Sequence, residues 1–308
     1  AARCVRRVTI VDHARVPGEK IRISGGGRCN FTNRSTAPER FLSDNPRFAR
    51  SALSRFTPQD FIARIDRAGI AWHDKGAGQL FCDGSATQVV RLLTSGMAEA
   101  GVTLGLETTV GDIHRQDAGF RVETSRGTLV ADRLVVATGG KSIPKMGATG
   151  LGHDIARRFG LRVTDTRPAL VPLTLAEPDL AWTAPLAGIA VPARVSVGRV
   201  AFDEALLFTH RGLSGPAILQ VSSYWHEGDR LTIDLARGDD IAEMLRARRS
   251  EGGKIQVQTQ LARALPERLA QALSAVSGVT GLLATQSNPA IDRLAQALFA
   301  RAVGGLPL

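Results

Sequence analysis

The sequence predicts an α/β fold with a parallel sheet, followed by a region of different texture. Residues 7–12 read as a short strand that ends in an acid, and residues 133–138 form an apolar run that enters a glycine pair. A strand that is apolar on both faces is typical of the middle of a parallel sheet covered by helices. From about residue 167 the chain is rich in β-forming residues and proline, which indicates a separate small domain.

Local signals predict the elements between these two strands. Thr57 followed by Pro58 predicts a helix with Thr57 as its N-cap. Residues 70–82 predict a hairpin, and Ser85 precedes a helix that stops at Gly101. Further short strands are predicted at 102–106, 109–114, 120–124 and 128–130. The chain therefore makes one βα piece and an antiparallel excursion before it returns to the parallel sheet.

Later elements follow from glycine, proline and helical periodicity. A glycine-rich entry leads into a helix at about 151–159, whose free N–H groups suit an anion. After the β-rich stretch, three helices are predicted at 241–249, 266–274 and 289–303. The apolar stripe of the last helix is interpreted as core packing.

Composition excludes several classes of protein. The chain has 308 residues, 44% of them hydrophobic, which is enough for a large core in two or three domains. No apolar run of the roughly 18 residues that span a membrane occurs, and the first residues lack the apolar region of a signal peptide. Cys4, Cys29 and Cys82 lie far apart, which argues against a disulfide framework or a metal site. We expect a cytoplasmic protein without a metal.

A formal charge of +10 raises the question of a nucleic-acid partner. The arginines are scattered through the predicted helices and loops rather than gathered with interleaved aromatic residues, so a nucleic-acid partner is not expected. A basic surface also suits anionic cofactors and substrates. We expect a small-molecule substrate, and the oligomeric state stays open.

The glycine-rich stretch at 24–33, with the sequence SGGGRCNFTN, is the strongest local motif. Three consecutive glycines cost backbone entropy and bury nothing, so they persist where the chain turns tightly or lets a ligand lie against bare backbone. The alternative is an ordinary glycine-rich surface turn. Its position after an acid-ended strand and before the strand that enters ATGG favours a ligand site.

Asp12 stands where a dinucleotide-binding fold has the acid that holds a ribose. The alternative is an aspartate that merely ends a strand. The residues alone leave both interpretations open.

Together, SGGGRCNFTN, the strand into ATGG, and LLFTHRGLSGPAIL at 206–219 resemble the aminoacetone-oxidase-like flavoproteins, also called BaiN/YhiN-type NAD(P)/FAD-dependent oxidoreductases. The resemblance covers nearly the whole chain. It implies a two-dinucleotide-binding FAD domain of glutathione-reductase type with an inserted β-barrel domain and a helical subdomain. The implied bounds are a partial FAD-binding domain at 1–166, a β-barrel substrate domain at 167–236 with 303–308 re-entering it, and a helical insertion at 237–302.

The resemblance also implies which residues hold FAD. Asp12 would bind the adenosine ribose, although the family more often has glutamate there. Lys20 and the backbone of the glycine turn would approach the pyrophosphate and flavin. The full set of implied cofactor residues is Asp12, Lys20, Ser24, Gly25, Gly26, Gly27, Arg28, Cys29, Asn30, Val110, Thr138, Gly139 and Gly140.

Within that set, three residues would lie near the isoalloxazine ring or ribityl chain, namely Arg28, Cys29 and Asn30. Val110 would offer backbone bonds to adenine. The segment 138–140 would pack close to the cofactor, where larger residues would collide with it.

Two parts of the family pattern do not occur in this sequence. One is the opening strand with a G-x-G-x-x-G turn, whose glycines admit the pyrophosphate at a helix N-terminus. The other is a closing segment with a Gly-Asp pair that holds the ribityl chain and flavin ring. We therefore expect that the chain is a fragment of a longer flavoprotein, truncated at both ends, and that it binds FAD poorly by itself.

The implied chemistry is hydride transfer between FAD and a small organic substrate or NAD(P)H. Oxidase and reductase versions both stay open. His210 is the candidate acid or base, with a histidine that orders its loop as the alternative. Cys29 is either a redox thiol or a packed structural thiol, and Arg28 either stabilises anions or pins its loop to a carboxylate.

Two other functions stay open at this stage. One is a non-enzymatic basic or RNA-associated module on a degenerate flavin fold. The other is a flavin-dependent enzyme that modifies tRNA.

Overall fold

The computed structural model describes residues 6–144, 147–252, 254–299 and 301–303. The chain divides into two compact units, Ala1–Thr164 and Asp165–Leu308. The fold is mixed α/β, with a parallel pair of strands in the first unit and a large antiparallel sheet in the second.

The first unit contains short strands and helices. Its strands are β1 (Thr9–Val11), β2 (Asn30–Asn33), β3 (Trp72–Asp74), β4 (Gln79–Cys82), β5 (Thr103–Gly105), β6 (Val110–Gln116), β7 (Gly119–Thr124) and β8 (Gly127–Ala131). Its helices are α1 (Glu19–Ile23), α2 (Arg50–Arg55), α3 (Pro58–Arg67), α4 (Thr87–Glu99) and α5 (Leu151–Arg158), with 3-10 turns at Ser24–Gly27 and Pro38–Arg40.

Three small sheets organise these strands. β1 pairs in parallel with β5, with Ile10 opposite Leu104. β2, β4 and β3 form an antiparallel sheet in that order, and β6, β7 and β8 form another. The predicted hairpin at 70–82 is confirmed as β3 and β4.

The prediction of a buried central strand at 133–138 is wrong. Residues 133–140 form no strand, and Val135 is 83% exposed. The physical reason is that a strand needs a hydrogen-bonding neighbour. Within the described residues the parallel sheet consists only of β1 and β5, so this apolar run has no partner strand that could bury it.

Packing of the first unit centres on the turn at 24–29. Its buried cluster contains Cys29, Ile65, Ile70, Cys82, Ala86 and Val89. Helix α3 contributes Ile65 and begins as predicted, since the Thr57 hydroxyl accepts from the Asp60 N–H and the Asp60 carboxylate accepts from the Thr57 N–H. This reciprocal capping box satisfies two backbone donors that the helix itself cannot.

The second unit is built on one six-stranded antiparallel sheet. Its strands are β9 (Leu173–Thr174), β10 (Ala190–Val197), β11 (Val200–Thr209), β12 (Gly212–Ser214), β13 (Leu231–Asp234) and β14 (Arg301–Val303), in the order β14-β13-β10-β11-β12-β9. Its helices are α6 (Asp179–Thr183), α7 (Pro216–Val221), α8 (Ile241–Ser250), α9 (Val257–Leu261), α10 (Glu267–Ser277) and α11 (Asn288–Phe299), with 3-10 turns at Ala184–Leu186 and Leu283–Thr285.

Alternating burial along β10 shows how this sheet forms its core. Val191, Ala193 and Val195 are buried while the residues between them are exposed, as expected for a strand with one face toward a core. The last predicted helix is shorter than expected: α11 ends at Phe299, and β14 then pairs with β13. Residues 304–308, part of the predicted re-entry into the β-domain, lie outside the described residues.

Candidate cofactor site

The glycine turn has a backbone that only glycine adopts at low cost. Gly25, Gly26 and Gly27 have φ of 59°, 67° and 86°. Left-handed backbone costs a residue with a side chain roughly 1–2 kcal/mol at each such position. The run of three glycines is therefore explained by the backbone path between α1 and β2.

The three glycines differ in what surrounds them. A Cβ added at Gly25 would lie 2.6 Å from Cε1 of Phe81 and 2.9 Å from the backbone N of Asn30, so this position is closed by packing. At Gly26 nothing lies within 4 Å, and at Gly27 only the carbonyl oxygen of Arg22 does, at 3.9 Å. Bare backbone with open space above it fits a cofactor that lies against the chain.

Hydrogen bonds hold this turn in place. The Cys29 N–H donates to the carbonyl of Ser24 at 3.0 Å, which closes the turn. The Ala86 N–H donates to the Gly27 carbonyl at 2.7 Å and links the turn to the start of α4. The Cys82 N–H donates to the Arg28 carbonyl at 3.0 Å and links it to β4. The open backbone therefore belongs to a fixed turn.

Lys20, in the helix that precedes this turn, is hydrogen-bonded to the segment that follows residue 138. The Lys20 ammonium donates to the Ser142 hydroxyl at 3.1 Å, although 122 positions separate them. A Cβ added at Gly152 would lie 2.6 Å from Oγ1 of Thr138, so the first turn of α5 packs against that threonine. Gly139 and Gly140 have nothing within 4 Å of an added Cβ. This segment is thus a second open stretch of glycine backbone.

Asp12 has a structural role and retains capacity for a ligand. Its Oδ1 accepts from the Ala14 N–H at 3.0 Å and lies 3.5 Å from Nδ1 of His13. Its own N–H donates to Gly105 at 2.9 Å, so the residue continues the β1–β5 pairing. Oδ2 makes no hydrogen bond with the described residues and can accept one from a ribose hydroxyl. Both interpretations of Asp12 remain compatible with this geometry.

Of the two residues that follow the glycines, one is exposed and the other is buried. Arg28 is exposed and forms no ion pair within the described part of the chain. Cys29 is only 4% exposed and has φ of 54°. Burial raises the pKa of its thiol, and a hydrogen bond with Ser24 partly opposes that rise. This environment favours a packed structural thiol over a nucleophile.

Sequence reasoning missed the neighbour of this thiol. Asn30 pairs with Phe81 across β2 and β4, so Cys29 and Cys82 meet at the next position along the pair. Burial, with smaller contributions from the nearby Cys29 and Asp83, raises the pKa of Cys82 to about 11. No motif in the sequence signals this contact, because it depends on how two strands pair.

The remaining residues of the predicted set have less specific surroundings. Asn30 Nδ2 lies 3.4 Å from Oε1 of Gln79. Val110 begins β6 opposite Thr124, and the register shifts immediately after it.

The catalytic candidate His210 lies in the second unit, whereas every predicted cofactor residue lies in the first. It is exposed at the turn between β11 and β12. The Thr209 hydroxyl orders that turn, since it donates to the Gly212 carbonyl at 2.9 Å and accepts from the Arg211 N–H at 3.4 Å. The imidazole is therefore not needed to shape its own loop.

Two further features of the described residues bear on function. No cluster of three or more histidine, cysteine or acidic side chains within them could hold a metal ion. None of the helices formed by these residues has the length and apolarity needed to cross a bilayer.

Comparison with known proteins identifies the family. The family described as "HI0933-like protein Rossmann domain" matches residues 1–306. The chain is 43% identical over 289 residues to a protein of Escherichia coli (strain K12) named "Ribosomal RNA dihydrouridine synthase", covering 94% of this chain and 72% of that protein. It is 40% identical over 276 residues to a protein of the same name from Haemophilus influenzae, covering 88% of this chain and 68% of the relative.

A more distant relative has a different name. The chain is 27% identical over 227 residues to the "3-dehydro-bile acid delta(4,6)-reductase" of Clostridium scindens, covering 72% of this chain and 55% of that protein. Two of these relatives are thus named as synthases and the third as a reductase. None of the three is named an aminoacetone oxidase. On the family match and these identities, the chain belongs to the HI0933-like family of FAD-binding Rossmann-domain proteins.

Proposed function

We propose that this protein is an FAD-dependent oxidoreductase that reduces a carbon–carbon double bond conjugated to a carbonyl, with uridine in ribosomal RNA as its substrate. The observation that carries the proposal is the 43% identity, over 94% of the chain, to a relative named ribosomal RNA dihydrouridine synthase. The fixed glycine turn, with open space over Gly26 and Gly27, supports the FAD component.

The names of the relatives share one reaction class. Dihydrouridine is uridine whose C5–C6 double bond, conjugated to the C4 carbonyl, is saturated. A delta(4,6)-reductase of a 3-dehydro steroid, by that name, likewise saturates bonds conjugated to a ketone. Each double bond that is saturated takes one hydride and one proton; in uridine the hydride adds at C6, the carbon remote from the carbonyl, and the proton at C5.

Bound FAD, once reduced, would supply the hydride through its isoalloxazine ring. In this proposal Gly26 and Gly27 admit the cofactor to bare backbone, and Lys20 and Arg28 contribute positive charge toward its anionic groups. Asp12 accepts from the adenosine ribose. The segment 138–140 supplies the second open backbone stretch, and NAD(P)H is the proposed reductant.

A small unsaturated carbonyl compound is the second candidate substrate. The 27% relative named as a bile acid reductase favours it, and it agrees with the small-molecule substrate expected from the sequence. A ribosomal substrate would put the activity in the cytoplasm, whereas a small molecule would leave the compartment open.

The test uses the full-length protein loaded with FAD and reduced without oxygen by NADPH. Mixing with unmodified ribosomal RNA should restore the oxidised flavin spectrum and add two hydrogens to the mass of one uridine. Reoxidation by a small enone alone would select the second candidate. A protein that binds RNA but retains no flavin would contradict the enzyme proposal and favour the non-enzymatic module.

A further inference from the structure

Residues 40–56, called here the basic aromatic segment, alternate arginine with exposed phenylalanine. This local grouping departs from the sequence-based expectation that the arginines are scattered without interleaved aromatic residues. The segment contains four arginines and one aspartate. Phe48 is 80% exposed, and Phe41 and Phe56 are 49% and 50% exposed. Aromatic rings of this size are normally buried, so their exposure needs an explanation in function.

The positive charges of this segment are not neutralised by the protein. Within the described residues none of its four arginines forms an ion pair; these are Arg40, Arg47, Arg50 and Arg55. By contrast, Arg121 lies 2.8 Å from Glu123 and Arg157 lies 2.8 Å from Asp154 elsewhere in the same unit. Unpaired exposed cations create a local potential that attracts a polyanion.

Packed rings connect this segment to the strand that follows the glycine turn. The ring centroids of Phe56 and Phe61 are 6.2 Å apart, and those of Phe61 and Phe31 are 6.1 Å apart. Phe31 lies in β2, directly after Asn30, and its ring is 6.2 Å from that of Trp72. The guanidinium of Arg34 lies over Trp72 at 5.1 Å. The basic aromatic segment and the candidate cofactor turn thus belong to one packed unit.

We propose that the basic aromatic segment binds unpaired RNA, with Phe48 stacking on a base and Arg47 and Arg50 contacting phosphates. Arginine and exposed aromatic rings together are the chemistry that holds single strands, since every base offers a ring face to stack on. This inference rests on the proposed function and names the surface through which the substrate is held. A bilayer surface is disfavoured because α2 has only six residues and lacks the long apolar face of an interfacial helix.

The salt dependence of RNA binding tests whether Arg47 and Arg50 contact phosphates. Anisotropy of a fluorescein-labelled single-stranded fragment of ribosomal RNA is measured with the full-length protein at several salt concentrations. Each phosphate contact contributes about 0.7 to the slope of log affinity against log salt for single strands. The double variant Arg47→Ala, Arg50→Ala should lower that slope by about 1.4. The control Arg91→Ala, Arg115→Ala removes two exposed arginines from α4 and β6 and should leave it unchanged.

A second variant tests stacking. Phe48→Ala should weaken RNA binding about tenfold with an unchanged salt slope, because stacking releases no counterions. Val130→Ala is the matched control, since Val130 is 72% exposed on β8. Thermal unfolding of each variant checks that the fold is retained, which the exposure of all six substituted positions favours.

The outcomes separate this inference from the proposed function. If the Arg47→Ala, Arg50→Ala variant binds RNA with unchanged affinity and an unchanged salt slope, the basic aromatic segment is not the RNA-binding surface, even if the protein reduces uridine. Loss of binding in both test variants supports the surface, even if the wild type reduces no uridine. Binding to phosphatidylglycerol vesicles that depends on Phe48, with RNA binding unaffected, overturns it in favour of a membrane surface.

Discussion

The buried thiols of Cys29 and Cys82 lie next to each other, one at the end of the glycine turn and the other at the end of β4. The Cys82 N–H donates to the carbonyl of Arg28, so the backbone of one cysteine is fixed to the residue before the other. Burial raises the pKa of both thiols. Two uncharged, buried thiols therefore pack against the turn that carries the open glycine backbone.

The first prediction concerns thiol labelling. In a Cys4→Ser background, which removes the cysteine outside the described residues, neither remaining thiol should react with iodoacetamide at neutral pH in the folded protein. The thiolate is the nucleophile, and the pKa of Cys82 is raised to about 11. Labelling followed by mass spectrometry should become fast only in urea. Rapid labelling at neutral pH without urea would show that the cysteines are accessible and ionised.

The second prediction concerns stability in alkali. The folded state keeps the Cys82 proton up to about pH 11, whereas an unperturbed thiol loses it near 9.0. Between these values the unfolded chain binds fewer protons than the folded chain, so the free energy of unfolding should fall as pH rises. Urea unfolding at several pH values measures the slope. Cys82→Ala should flatten it relative to wild type; an identical slope in the two proteins would assign the effect to other groups.

The third prediction separates the glycines of the turn. Gly25→Ala should destabilise the fold by about 2–5 kcal/mol, because it combines left-handed backbone with overpacking against Phe81. Gly26→Ala adds only the backbone cost of about 1–2 kcal/mol, since its Cβ would enter open space. Urea unfolding measures both. Equal losses would mean that Phe81 yields to the new methyl group.

Cofactor retention extends this comparison. If FAD lies over Gly26 as proposed, Gly26→Ala should lose bound flavin on desalting although most of the protein stays folded. The flavin-to-protein absorbance ratio of the full-length protein gives the result. Full retention of flavin by the variant would contradict the proposal that the cofactor lies against Gly26.

The fourth prediction concerns His210. If it is the general acid or base, His210→Ala should lower turnover of the full-length enzyme by about a hundredfold and remove one limb of its pH profile. Thr209 holds the turn, so the fold should survive the change. His226→Ala is the control, since His226 is also exposed in the second unit and its Nδ1 lies 3.2 Å from Oδ2 of Asp229. An unchanged rate and pH profile would eliminate His210 as the proton donor or acceptor.

Elements with local signals were predictable from the sequence. The start of α3 follows from Thr57 and Pro58, and the hairpin of β3 and β4 follows from apolar runs around Gly76 and Gly78. The glycine turn was also evident, because its left-handed backbone requires consecutive glycines. In each case the information lies within a few residues of the feature itself.

Features that depend on distant partners were not predictable. The apolar run at 133–138 suggested a buried strand, but apolarity does not specify the neighbouring strand that burial requires. Cys29 looked solitary because helices α2 and α3 and strand β3 separate β2 from β4 along the chain. The bond between Lys20 and Ser142 spans 122 positions and has no signature in the composition of either segment.

The hydrogen bond from Ala86 to Gly27 gives the glycine turn a built-in reporter. The Ala86 N–H lies immediately before α4. It exchanges with deuterium only when its hydrogen bond to the Gly27 carbonyl breaks and the turn separates from the start of the helix. A ligand that rests on Gly26 and Gly27 would hold that carbonyl in place and slow the exchange of this amide. Occupancy of the turn would thereby be readable at the start of a helix that the ligand itself need not touch.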